Sequence, residues 1–433
     1  MRTTCLIWIF FGLLGCDQQP RPSAADGTGI YSGTFRYGDF SDDILVSIEK
    51  DSTRWQVFFS SLAQNANRIP FQEIEVNGDS INFKLRSDFY TYSFKNRWTD
   101  HHAGLEGSLQ VDTITATYTL TKDVADETEE TDREEISFTS GGITLKGTIW
   151  HPEKDLSKGL IIVTSSGNAD RSASAAEAKL FAQRGYTTFH YDKRGTGSSA
   201  GDWTSATIEE LSQDDINAIQ FFSSKTGIPL TSIGIKGSSQ GGAKMPYILN
   251  ALEDLAYGVA VSCPGVSLLE SDLNYWTNRN TEVIGAGDIR EATTLQRKVF
   301  EHIAGEFSRS DLEEAISKAT SKPWFAHIWI PDLDEVKEDK KLLFNPIPHF
   351  EKVKHPVLII QGTLDEIIPV ESYKTISDAL DKANNTQYKT VLLDGGSHSM
   401  YYVGNSDFPY WSKLHPMYIT IFENWVKSVS ADK

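Results

Sequence analysis

The sequence predicts an α/β protein: a doubly wound, mostly parallel sheet with a helical insert, preceded by an all-β domain. Three observations carry this. From residue 136 onward, wholly apolar runs alternate with helix-like runs, the pattern of a sheet covered on both faces. Between residues 28 and 122, short alternating runs recur about every ten residues with Gly and Asn-Gly-Asp turns between them, the rhythm of a sandwich or barrel. Separating the two is a stretch at 123–135 that is acidic, Thr-rich and almost without apolar residues, as a linker would be. A chain of 433 residues also exceeds one ordinary domain.

The N-terminus reads as an export signal spanning residues 1–16. Arg2 supplies a positive start, and Cys5 to Gly15 is an apolar run too short to span a bilayer. Leu13-Leu14-Gly15-Cys16 resembles the lipobox of bacterial lipoproteins, which implies lipidation at Cys16, a membrane attachment through that lipid, and a place in the bacterial cell envelope. Residues 17–27 are polar, with Pro, Ser, Ala and Gly, and read as a tether. Three cysteines make no disulfide framework, and Cys263 is expected to be a buried thiol. A formal net charge of −18 argues against nucleic acid or an anionic membrane surface as a partner.

In the β domain, Ile30–Tyr37, Ile44–Ile48, Trp55–Phe59, Ile74–Val76, Ser80–Leu85, Tyr90–Phe94, Gly104–Leu109 and Ile114–Tyr118 each alternate apolar with polar residues. The pair His101-His102 is expected at a surface or turn. The domain reads as an accessory module, with substrate positioning as the sharper alternative.

The second domain, 136–433, opens with a hairpin whose arms flank Ser140-Gly141-Gly142. Next come an apolar strand at 159–164, a helix at 173–184 ended by Gly185, a strand at 186–191 and a helix at 208–223. The strand Ser232–Lys236 leads into Gly237-Ser238-Ser239-Gln240-Gly241, and a helix is expected over Gly242–Leu252. Strand, G-x-S-x-G and helix in that order form a nucleophile elbow. The serine sits on a strained turn, and the first N–H groups of the helix stand ready for a developing oxyanion. Further strands follow at 258–262 and 357–361. The helix-rich segment 267–350 between them falls where a lid would cover the carboxyl ends of the strands.

With Ser239 as a nucleophile, the chemistry requires an imidazole to take its proton and a carboxylate to orient that imidazole. Asp365, in Gly362-Thr363-Leu364-Asp365-Glu366, and His398, in Gly395-Gly396-Ser397-His398, each follow a late apolar strand and so lie at the same sheet edge as Ser239. Glu366 and Asp394 are the rival acids. His190 sits within a strand and reads as a core histidine, whereas His349 and His355 flank the insert. Neither metal-ligand spacing nor a nucleotide-binding fingerprint is present, so no cofactor is expected.

Residues 136–430 resemble the α/β-hydrolase superfamily, in particular its bacterial esterase and aminopeptidase-like members. Tyr191-Asp192-Lys193-Arg194-Gly195-Thr196-Gly197-Ser198-Ser199 is similar to that family's D-x-R-G-x-G-x-S loop, which braces the site. Ser165-Ser166-Gly167-Asn168-Ala169-Asp170-Arg171 is similar to its H-G-S-G-P-x-D-R loop, with Thr164 and Ser165 in place of H-G. The resemblance implies a triad of Ser239, Asp365 and His398 in the fold's chain order. It also implies an oxyanion hole formed by the backbone N–H groups of Gln240 and Ser166. The activity expected is hydrolysis of a carboxylic ester. The alternatives are a peptidase or amidase on the same triad, or a non-catalytic surface-binding lipoprotein.

Overall fold

A computed structural model describes residues 27–402 and 413–431, apart from 39, 53, 65, 87–90, 124–132 and 155–156. Cys16, the export segment, most of the tether and the centre of the acidic stretch lie outside the described residues. Contacts group the chain into two compact units. Among the described residues, the first holds 27–33, 46–58 and 70–123, and the second 34–45, 59–69 and those from 133 onward.

Nine strands make up the N-terminal sheet: β1 (Gly29–Tyr37), β2 (Phe40–Asp51), β3 (Arg54–Ser61), β4 (Ala66–Pro70), β5 (Gln72–Asn77), β6 (Ser80–Arg86), β7 (Thr91–Thr99), β8 (Gly104–Val111) and β9 (Ile114–Lys122). Their order is β4-β3-β2-β1-β9-β8-β7-β6-β5. Of the sandwich and barrel alternatives, this is barrel-like connectivity: a single meander in which β1 pairs with β9 and the two edge strands are consecutive in the chain. Alternation along each strand sends Phe83, Phe94, Leu105, Leu109 and Leu120 to one buried face. His101 and His102 lie in a short 3-10 turn, both with positive φ.

The second domain is an α/β-hydrolase fold. Its strands are β10 (Arg133–Ser140), β11 (Ile143–Trp150), β12 (Gly159–Ile162), β13 (Thr187–Tyr191), β14 (Ile233–Ser238), β15 (Tyr257–Val261), β16 (Val357–Gly362) and β17 (Tyr388–Leu393). They are ordered β10-β11-β13-β12-β14-β15-β16-β17. Pairing is antiparallel across β10, β11 and β13 and parallel from β13 onward. The central strands are buried on both faces, which is why their sequences are continuous apolar runs.

The helices of this domain are α1 (Ser172–Gln183), α2 (Ile208–Thr226), α3 (Gln240–Ala251), α4 (Leu268–Ile284), α5 (Ile289–Ile303), α6 (Arg309–Ala319), α7 (Ile347–Phe350), α8 (Ser372–Lys382) and α9 (Tyr418–Ala431). A capping box of Thr207 and Glu210 starts α2, and Gly227 in the left-handed region ends it. Helix α3 begins at Gln240, two residues earlier than its sequence pattern indicates. Gly241 and Gly242 are poor helix formers, but the tight turn at Ser239 leaves the chain no other course. The insert contributes α4 to α7 and short 3-10 turns. It packs Leu273, Trp276, Val299, Leu312 and Trp324 into an apolar cluster of its own.

Candidate active site

Strand β14 delivers Ser239 to the carboxyl edge of the sheet. The chain turns there with Ser239 at φ 53° and ψ −123°, a conformation costly for a residue with a Cβ. A side chain at Gly237 would run into the Gly241 carbonyl, so only glycine lets strand and helix approach this closely. The Ser239 N–H donates to the Val261 carbonyl (3.0 Å), and Ala243 N–H donates to the Ser239 carbonyl (3.0 Å). Gln240 is the first residue of α3, where backbone N–H groups have no intrahelical acceptor.

Asp365 and His398 come from the turns after β16 and β17. Leu364 N–H donates to the Gly396 carbonyl (2.9 Å), and Thr363 N–H to the Leu393 carbonyl (2.9 Å). Gly362 lies so close to Gly396 that a Cβ would clash, so the two turns are zipped together. His398 Nδ1 lies 2.9 Å and 3.1 Å from the Asp365 carboxylate oxygens. A carboxylate only accepts, so Nδ1 carries a hydrogen, and in the neutral form of the ring Nε2 keeps its lone pair. The Asp365 side chain is wholly buried, whereas His398 retains 20% exposure. Burial alone would push the Asp365 carboxyl up. The His398 hydrogen bond and charge, together with the Ile368 N–H, outweigh it and hold the pKa below the usual carboxylate value. Asp365 Oδ1 also accepts from Ile367 N–H (3.0 Å) and Ile368 N–H (3.1 Å). From β15's end, the Ser262 hydroxyl donates to the His398 carbonyl (2.8 Å).

A cavity of about 540 Å³ is lined by Ser238, Ser239, His398, Ser165 and Ser166, with Tyr275 of α4 from the insert. The sequence-predicted nucleophile, base and loop donor therefore share one cavity, with Asp365 behind the base. The carboxylate hydrogen-bonded to the imidazole is that of Asp365, and the rivals have other partners. The Glu366 backbone carbonyl accepts from Asn278, and the Asp394 carboxylate accepts from the Thr363 hydroxyl. His190 is a core histidine: Trp150 Nε1 donates to its Nε2, Ser174 sits on Nδ1, and burial, aided by the nearby Arg171 charge, pushes its pKa down to about 3. His349 stacks on Phe344, and His355 bonds the Glu253 carbonyl. The Cys263 thiol is buried, and burial pushes its pKa up.

Three sets of buried or half-buried charges stand around the cavity, and their pairings were not read from the sequence. Lys244 of α3 pairs with Asp215 of α2 at 2.6 Å, both side chains fully buried. Asp215 also accepts from the Tyr191 hydroxyl (2.7 Å), and Lys244 donates to the Thr164 hydroxyl (2.6 Å). On the other face of the sheet, Lys236 pairs with Glu177 at 2.7 Å, and the Tyr418 hydroxyl donates to the same carboxylate (2.7 Å). In the loop after β13, Asp192 pairs with Arg171 and Arg194 with Asp214, while Lys193 reaches the Ser165 and Gly167 carbonyls. Each partner is distant in sequence, so no local pattern signals these contacts.

The fold is that of the α/β-hydrolase class. Residues 141–400 match the X-Pro dipeptidyl-peptidase (S15) family, and the chain belongs to that family. It is thus a serine hydrolase. Similar solved structures include an esterase of Pyrococcus furiosus, 14% identical over 71% of this chain and 94% of that one, with a TM-score of 0.42. An α/β hydrolase from Penicillium sp. sh18 is 18% identical over 69% and 99% of the two chains, with a TM-score of 0.44. A proline iminopeptidase of Mycobacterium smegmatis is 17% identical over 69% and 97%, with a TM-score of 0.41. No curated protein matches this chain.

Proposed function

We propose that this protein is a serine hydrolase that cleaves a carboxylic ester of a small or medium acyl group through an acyl-enzyme. The observation that carries the reading is the Asp365-held His398 imidazole lining one cavity with a serine at a strained elbow. Ser239 Oγ attacks the ester carbonyl carbon as His398 Nε2 takes the hydroxyl proton. The Gln240 and Ser166 N–H groups hold the resulting oxyanion. Collapse breaks the bond to the leaving oxygen, which departs as an alcohol with the proton from His398. Water, deprotonated by His398, then attacks the acyl-serine, releasing the acid and restoring Ser239. Polar and charged groups in the cavity wall, among them Lys193, Lys236 and Glu177, favour a short or polar acyl group over a long alkyl chain.

One observation favours a second reading. The matched family is named for X-Pro dipeptidyl-peptidase activity, and the same triad cleaves an amide when a protonated His398 supplies the departing nitrogen with its proton. A panel of p-nitrophenyl esters of rising chain length beside Xaa-Pro and single aminoacyl p-nitroanilides separates the two. The expected result is fastest turnover on short esters. A kcat/KM at least about tenfold higher on an Xaa-Pro anilide, equivalent to about 1.4 kcal/mol of transition-state stabilisation, would make it a peptidase. Absence of turnover and of fluorophosphonate labelling would leave the surface-binding alternative.

The proposal places the enzyme in a bacterial cell envelope, anchored through lipidated Cys16 with residues 17–27 as tether. The mature protein is expected to begin at an acylated Cys16 and to partition with membranes. An unmodified, soluble N-terminus by mass spectrometry would reject the anchor.

A further inference from the structure

We propose that Lys193 is a positioning residue for the oxyanion hole, holding the 165–167 loop by two backbone carbonyls and strengthening the N–H donor of Ser166. The inference rests on the reading of Ser239 and Ser166 given under Proposed function. Lys193 follows β13 and is only 3% exposed. Its ammonium donates to the Ser165 carbonyl (2.8 Å) and to the Gly167 carbonyl. The Trp203 ring lies beneath it, with Nζ 4.4 Å from the centroid. Among the described residues no carboxylate lies within ion-pair distance of it. A buried ammonium without a counter-ion is an expensive brace, and a neutral donor would hold a loop at lower cost. The charge therefore needs a reason.

Covalent structure supplies one. The Ser165 carbonyl and the Ser166 N–H belong to a single peptide group. A cation on the oxygen draws electron density from the nitrogen and makes its hydrogen a stronger donor, the cooperative effect of chained hydrogen bonds in a low-dielectric site. That hydrogen is the one proposed to meet the oxyanion. Lys193 thus fixes where the donor points and raises how strongly it donates, and both effects grow as negative charge develops in the transition state.

The surroundings give this device a pH response. Burial, with the like charges of Lys244 on α3 and Lys341 on the 340–343 turn, pushes the Lys193 pKa down to about 8, against the opposing pull of Asp215 on α2. Lys341 is paired with Asp339, and the Tyr191 hydroxyl of β13 is tied to Asp215 with its own pKa raised. Asp272 of α4 lines the same cavity. The charged form of Lys193 is the effective one, so its contribution to activity is present below about 8 and is lost as pH rises through that value.

The test compares the full chain with Lys193→Met and Lys193→Arg on p-nitrophenyl acetate. Inhibition by an aryl trifluoromethyl ketone, which binds the serine as an oxyanion adduct, is measured alongside. Lys193→Met is expected to lower kcat about 10- to 100-fold with KM within about threefold, somewhat less than deletion of an oxyanion donor costs. Its ketone inhibition constant should rise by the factor by which kcat/KM falls, and its alkaline decline should vanish. Lys193→Arg, charged at every accessible pH, should recover part of the rate and carry the decline to higher pH. A folded Lys193→Met with kcat within about twofold of wild type overturns the inference, as does a loss confined to KM with unchanged ketone inhibition. If Lys193→Met fails to fold, Lys193→Arg decides, because a decline still centred near 8 in that variant also overturns it. A wild-type chain that neither turns over nor takes a fluorophosphonate label rejects the serine-hydrolase reading and this inference together. A labelled, active wild type with an unaffected variant rejects this inference alone.

Discussion

Ser239→Ala is expected to lower kcat by about six orders of magnitude, the loss seen when a triad nucleophile is removed. The change deletes one oxygen and nothing the fold depends on. Both backbone bonds of Ser239, to Val261 and from Ala243, survive it, and alanine meets about the same strain at φ 53° as serine. The melting temperature should therefore stay within about 2 °C of wild type, since a surface substitution of this kind shifts stability by no more than about 0.5 kcal/mol. Ser238→Ala is the control. Ser238 lines the same cavity but ends β14, outside the strained turn, and its carbonyl receives the Ser165 hydroxyl. Steady-state kinetics on p-nitrophenyl acetate, with fluorophosphonate titration to exclude contaminating wild type, measures both. Near-normal turnover by Ser239→Ala, or an equal loss in Ser238→Ala, would remove Ser239 from its role.

What the sequence made legible was whatever repeats or lies close in the chain. Apolar runs such as Val357–Ile360 read as buried strands because both their faces are covered. The elbow was legible because Gly237, Ser239 and Gly241 stand within five residues and the turn tolerates little else. The sheet order of the N-terminal domain was not, since alternation says which residues face inward but is the same for a sandwich and for a barrel meander. Buried charge was hidden for a different reason. Lysine is a residue type seldom fully buried, and the partners of Lys244 and Lys236, Asp215 and Glu177, stand 29 and 59 residues away. Lys193 occupied a position the motif leaves open. Only its distances to Ser165 and Gly167 give it a part to play.

Asp365→Asn is expected to lower kcat about 10⁴-fold without loss of fold, the size of effect produced by setting a triad histidine in the wrong tautomer. The hydrogen bonds dictate which way the new amide faces. Asp365 Oδ1 takes the N–H groups of both Ile367 and Ile368, so the amide oxygen stays there and the NH₂ takes the place of Oδ2. Oδ2 lies 3.1 Å from His398 Nδ1. Oδ1 lies nearer, at 2.9 Å, but as an amide oxygen already shared with two N–H groups it is a weaker acceptor than a carboxylate, while the NH₂ now offers Nδ1 a donor. The tautomer that takes this donor carries its ring hydrogen on Nε2, which then cannot take a proton from Ser239. Glu366→Gln should be near wild type, because the group of Glu366 that makes a hydrogen bond here is its backbone carbonyl, toward Asn278. The two variants differ in acid as well. Wild-type Asp365 has its pKa depressed on folding, so its ionised form contributes stability above the ordinary carboxylate range, and that contribution is lost as pH falls through the folded value. Asp365→Asn lacks this step and should show a shallower fall in melting temperature on acidification, whereas Glu366→Gln keeps it. Kinetics and melting curves on both proteins decide the matter. A large loss in Glu366→Gln beside an active Asp365→Asn would transfer the orienting role to Glu366.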